Sequence, residues 1–130
     1  MKKIIYSLAM IILCVQLSGC GGNKKVSEES KVVESFYNAI VNQERDKIGS
    51  IVCSDWEKDG LREVDAFMGV KSELKDFSCS VQKEEADNAE VTCTGSIAAS
   101  YGNEITEFPL KDRIHKVVKE NGEWRLCGFE

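Results

Sequence analysis

Between residues 31 and 44 the apolar side chains recur every three or four positions. Val32, Val33, Phe36, Tyr37, Ile40 and Val41 fall on one broad face, and Lys31, Glu34, Ser35 and Asn38 on the other. That spacing predicts an amphipathic helix lying on a core. Ser27 and Ser30 are both candidate N-caps, with Glu28 and Glu29 suited to an early helical turn. Asp46 reads as the cap of a short second helix carrying Ile48, Ile51 and Val52. Gly60 breaks the chain. A third helix is expected over about 61–75, presenting Leu61, Val64, Phe67, Met68 and Leu74 and weakened near its middle by Gly69.

From Phe77 the period changes to two. Phe77, Cys79 and Val81 alternate with Ser78, Ser80 and Gln82, which predicts a strand. After the polar stretch 83–88, Val91, Cys93 and Gly95 alternate with Thr92 and Thr94 in a second strand that runs on to Tyr101. Gly102-Asn103 makes a turn. A third strand is expected over 105–119, with Pro109 marking an edge position or a bulge, since proline has no amide proton for a ladder. Asn121-Gly122 tolerates the positive φ of a type I′ turn and leads into a fourth strand with Trp124, Leu126 and Phe129. The fold class expected is α+β: N-terminal helices packed on a curved four-stranded antiparallel sheet.

The first twenty residues follow another logic. Lys2 and Lys3 precede an apolar run over 4–15, and Leu17-Ser18-Gly19-Cys20 closes it. A basic start, a short apolar middle and small residues make a secretory signal, and the run is too short to span about 30 Å of hydrocarbon. With its terminal cysteine the stretch resembles the lipobox of bacterial lipoproteins. That resemblance implies cleavage before Cys20 and a diacylglyceryl group on its thiol, with residues 1–19 as signal peptide. Residues 20–30 then form a lipidated tether, poor in anything to bury. Residues 31–130 make one domain. The location implied is the cell membrane or the outer membrane, lipid-anchored and facing the extracytoplasmic space.

Charge narrows the partners. Of 17 Lys and Arg, Lys2 and Lys3 leave with the signal, so 15 bases face 22 acids and the mature net charge is −7. That balance argues against nucleic acid and against anionic headgroups as partners. The membrane is therefore met through the lipid on Cys20.

The export signal changes the reading of the six cysteines. Cys14 lies in the signal and Cys20 carries lipid, leaving Cys53, Cys79, Cys93 and Cys127 for two disulfides in an oxidising compartment. Cys79 and Cys93 lie equally far from Ala86, near the centre of the first hairpin turn, so they oppose each other across it. Cys53 is left for Cys127. Free thiols and a metal site compete with this reading, but no two of the four are spaced like the close pairs of zinc or thioredoxin-like sites.

A long helix, two short ones and an antiparallel sheet ending in Gly122-Glu123-Trp124-Arg125-Leu126 resemble the NTF2-like superfamily, also called cystatin-like or SnoaL-like. Within it the resemblance is to small bacterial lipoproteins of the DUF4878 group. It covers about residues 31–130 and rests on Ala89-Glu90-Val91-Thr92 and the Trp124 strand. It implies a pocket between curved sheet and helices, where some members use Asp, His or Tyr for isomerase, cyclase or dehydratase reactions.

The chain's own catalytic inventory is thin. His115 is the only histidine and shares a face with Val117, Leu126 and Trp124 in the register set by Asn121-Gly122. Asp112 and Tyr101 join it only if sheet curvature brings them together. Glu84, Glu85 and Asp87 sit at a hairpin tip. Asp55, Glu57 and Asp59 surround Trp56 without the glycine and terminal glutamate of an EF-hand loop, so no metal ligands are assigned. Trp56, Trp124 and Phe67 are expected in the core. No nucleophile-elbow, phosphate-loop, dinucleotide or zinc-protease motif occurs, so no cofactor and no catalytic residue are assigned. The function expected is a non-enzymatic domain at the envelope that binds a small apolar ligand or an envelope protein. A small pocket enzyme, of lyase or isomerase type, is the alternative.

Overall fold

The computed structural model describes residues 26–130, so the signal segment and Cys20 lie outside the described residues. Helix α1 (Glu28–Val41) starts at Ser27, whose side chain accepts from the Ser30 amide at 3.2 Å. A short 3-10 turn (Arg45–Lys47) leads to α2 (Ile48–Ile51), and a second (Ser54–Trp56) to α3 (Glu57–Asp65). Five strands follow: β1 (Lys71–Glu84), β2 (Asn88–Tyr101), β3 (Glu104–Pro109), β4 (Ile114–Glu120) and β5 (Glu123–Phe129). All pairings between the strands are antiparallel, in the order β1-β2-β4-β5, with β3 also on β2. The three α-helices pack on a curled antiparallel sheet, a half-barrel.

Two expectations are corrected. The third helix ends at Asp65, and residues 71–75 form the start of β1, each paired with a residue of 96–100. The apolar spacing of 61–75 is compatible with a helix, but ladder pairing along β2 overrides it. Gln43 secures the changeover. Its side chain accepts from the Gly69 amide at 3.1 Å and donates to the Val70 carbonyl at 2.9 Å.

The strand expected over 105–119 is two strands, so the sheet has five strands instead of four. Both lie on the same edge of β2: β4 along 88–92 and β3 along 96–101. The cause is a bulge between them. Gly95 holds φ at +86°, and a Cβ there would stand 2.2 Å from the Lys75 carbonyl oxygen. The register of β1 on β2 slips at the same level, and β2 bends. A single straight partner cannot follow that bend. The chain leaves the ladder at Pro109, inserts Leu110 fully into the core, and ties the Leu110 amide back to the Gly95 carbonyl at 3.0 Å.

Helix α1 lies against this curled sheet. Val33, Phe36, Tyr37 and Ile40 are buried with Val91, Ile97, Val117 and Leu126. Two disulfides close the frame. Cys79–Cys93 joins directly opposed positions of β1 and β2. Cys53–Cys127 holds the segment after α2 to β5, beside a hydrogen bond of 2.9 Å from the Cys53 amide to the Leu126 carbonyl. Among the described residues no helix is long and apolar enough to cross a membrane.

Candidate binding site

The curl of the sheet and the turn after α3 leave a cleft of about 310 Å³. Ile40 comes from α1, Phe67 from the turn, Ile97 from β2 and Phe108 from β3. Phe67 and Phe108 meet edge to face with centroids 5.5 Å apart. Each of these side chains is placed by the core packing of its own element, so the apolar walls are preformed. Two charged groups reach the same cleft: Glu63 from α3 and Arg113 from the turn before β4. Both are half-buried. Among the described residues neither makes an ion pair within 4 Å.

Arg113 opens a polar relay that runs into the core. Its guanidinium lies 4.5 Å from the centre of the Phe129 ring, and Nη1 donates to the Tyr37 hydroxyl oxygen at 3.5 Å. The Tyr37 hydroxyl is 2.7 Å from His115 Nε2, and His115 Nδ1 is 3.0 Å from the Val91 carbonyl oxygen. A carbonyl only accepts, so Nδ1 carries the ring proton. Nε2 is then the bare lone pair, and the Tyr37 hydroxyl donates to it. Burial lowers the His115 pKa to about 4, with the nearby Arg113 charge acting in the same direction. The same desolvation raises the Tyr37 pKa above its usual 10.0. Both groups are neutral at ordinary pH.

His115 is therefore a satisfied core residue. Its solvent exposure is 0%, both ring nitrogens are engaged, and Tyr37 and Phe129 close over it. The structure does not bring Asp112 or Tyr101 to it. Asp112 is exposed in the turn before β4, and Tyr101 lies nearly half exposed at the cleft. The other acidic candidates are surface groups. Glu84, Glu85 and Asp87 are exposed at the β1–β2 turn, and Asp59 pairs with Arg62 at 3.1 Å. Among the described residues no three His, Cys, Asp or Glu side chains converge on a metal position. Trp56 packs on Phe36 and Phe129, each with ring centroids 5.5 Å away, and closes that end of the core. Trp124 is partly buried against the core, under Lys119. Phe67 packs against the core from the cleft wall.

Sequence reasoning missed Tyr37, Arg113 and Glu63 as polar members of the site. Tyr37 sits in the apolar stripe of α1, where a phenol ring is indistinguishable from other core aromatics. Nothing in the local pattern of Glu63 or Arg113 points inward.

No family model matches this chain, and no curated protein sequence matches it. Among solved structures, a SEC-C motif containing protein from Rhodopseudomonas palustris is similar, with a TM-score of 0.54 and 14% sequence identity, covering 80% of each chain. That likeness is one of fold alone. It corrects the expected membership in the NTF2-like superfamily and its DUF4878 group: the structural neighbour is a SEC-C motif protein, and no family model supports the resemblance. The physical reason lies in the motifs used. Ala89-Glu90-Val91-Thr92 and the Trp124 strand report how an antiparallel sheet packs under helices, and that pattern is shared by any half-barrel of this kind.

Proposed function

We propose that the protein is a lipid-anchored envelope protein of a bacterium, tethered through Cys20, whose domain binds a small apolar ligand without transforming it. The observation that carries the binding half is the preformed cleft walled by Ile40, Phe67, Ile97 and Phe108. Its volume of about 310 Å³ suits a small molecule. What favours binding over catalysis is His115, whose two nitrogens are committed to Tyr37 and Val91 inside the core. A general base needs an open lone pair within reach of its substrate. The anchoring half rests on Leu17-Ser18-Gly19-Cys20 and on two disulfides, which persist in oxidising compartments.

Both halves are open to test on the full chain. Radioactive palmitate should label wild type and leave Cys20→Ala unlabelled, and equal labelling would end the anchoring claim. The amphipathic dye anilinonaphthalene sulfonate, titrated into protein held in lipid nanodiscs with empty nanodiscs as the blank, should brighten saturably with wild type. Phe108→Asp, which puts a carboxylate into the cleft wall on an edge strand, should abolish that signal. An unchanged signal in this variant would remove the cleft as the binding site.

A further inference from the structure

The cleft is apolar on its walls yet carries one positive and one negative side chain, each without an ionic partner. Arg113 is held in place by the Phe129 ring and the Tyr37 hydroxyl, which leaves further guanidinium donors directed elsewhere. Glu63 accepts no hydrogen bond from another side chain among the described residues. Two opposite charges half-buried on one cavity ordinarily find each other. Here they stay apart, more than 4.0 Å, at the same small cleft. An apolar guest is held by the walls alone, and a guest that also pairs both charges is held better. A simple carboxylate would satisfy Arg113 and meet repulsion from Glu63. A simple amine would do the reverse.

We propose that the cleft takes a small zwitterion with an apolar side chain, a hydrophobic α-amino acid in chemical class. Its carboxylate pairs with Arg113, its ammonium pairs with Glu63, and its side chain lies among Ile40, Phe67, Ile97 and Phe108. The inference deepens the binding function proposed above and rests on it. A charge-assisted hydrogen bond in a half-buried site is worth enough that deleting either partner should weaken binding about 10-fold to 100-fold.

Equilibrium dialysis of radiolabelled leucine against the full chain in nanodiscs tests it, with isocaproate and isoamylamine as competitors. Isocaproate lacks the ammonium group and isoamylamine lacks the carboxylate. Leucine should bind saturably, and each competitor should be at least about 10-fold weaker. Glu63→Gln should remove the advantage of leucine over isocaproate. Arg113→Gln should remove its advantage over isoamylamine. Arg113 also supports Tyr37, so Glu63→Gln keeps the test valid if Arg113→Gln fails to fold. Equal binding of all three ligands by wild type would overturn the zwitterion and leave the apolar cleft standing. Failure of leucine to bind while the dye still brightens would do the same. Failure of both leucine and the dye would overturn the cleft as well.

Discussion

The Tyr37 hydroxyl and His115 Nε2 meet at 2.7 Å inside the core, across 78 positions of sequence. Helix α1 supplies one and β4 the other, so this bond ties the first element of the domain to its fourth strand. It also makes the core sensitive to acid. The imidazole is buried between Tyr37 and the Val91 carbonyl, and burial disfavours its charged form.

The sign of that sensitivity follows from the direction of the shift. His115 titrates at about 4 in the folded protein and at 6.5 when exposed, so the unfolded chain takes up the proton first. Stability is fully retained above pH 6.5 and declines as the pH falls from there towards 4. The total loss attributable to this residue is about 3 kcal/mol. Urea unfolding across this range, compared with His115→Gln, should show the wild type losing that much more than the variant.

Removing the hydroxyl alone tests the bond without the charge. Tyr37→Phe keeps the ring contacts with Phe36 and Phe77 but leaves Nε2 of His115 without a donor in a dry site. We expect a loss of about 1–3 kcal/mol in unfolding free energy. The downward shift of the His115 pKa should persist in this variant, because burial is its largest cause. Histidine NMR titration reads that shift directly.

The two disulfides close loops of very different length, with sequence separations of 14 and 74. In the chain-entropy model the shorter one contributes about 3 kcal/mol and the longer one somewhat over 4. Paired alanine variants of Cys79 with Cys93, and of Cys53 with Cys127, should therefore destabilise in that order. Chemical unfolding of the two double variants under oxidising conditions checks it, and non-reducing peptide mapping of wild type should recover these two links.

Gly95 is the position where the sheet turns. Alanine there would bring its Cβ to 2.2 Å from the Lys75 carbonyl oxygen and hold a side chain at φ +86°. Backbone must move to relieve that contact, so Gly95→Ala should cost more than about 2 kcal/mol. A control at Gly102, also at positive φ but with nothing within 4 Å, should cost less, since only the conformational strain remains. Thermal unfolding of the two variants compares them.

Much of the local pattern was legible before any coordinates. The helical stripe of Val33, Phe36, Tyr37 and Ile40 is the buried face of α1, and the Asn121-Gly122 turn joins β4 to β5. Local chemistry suffices for such features: turn residues, caps and periodicity act within a few positions. Cys79 and Cys93 stand opposed, as their equal distance from Ala86 suggested, but only because the register shifts between Val81 and Lys83; the turn-side pair Glu84–Ala89 alone would set Cys79 against Thr94.

Residues 71–75, the split at Pro109 and the charged cleft did not show in the chain alone. The segment 71–75 has an apolar spacing that fits a helix, and only the presence of β2 alongside turned it into strand. The break between β3 and β4 depends on Gly95, fifteen positions before Leu110, bending the strand they share. Glu63 and Arg113 reach one cleft, and Arg113 reaches Tyr37, only after the sheet has curled. Periodicity thus determined which faces turn inward. Long-range backbone pairing and curvature decided where strands end and which charges share a cavity, because those depend on partners far away in sequence.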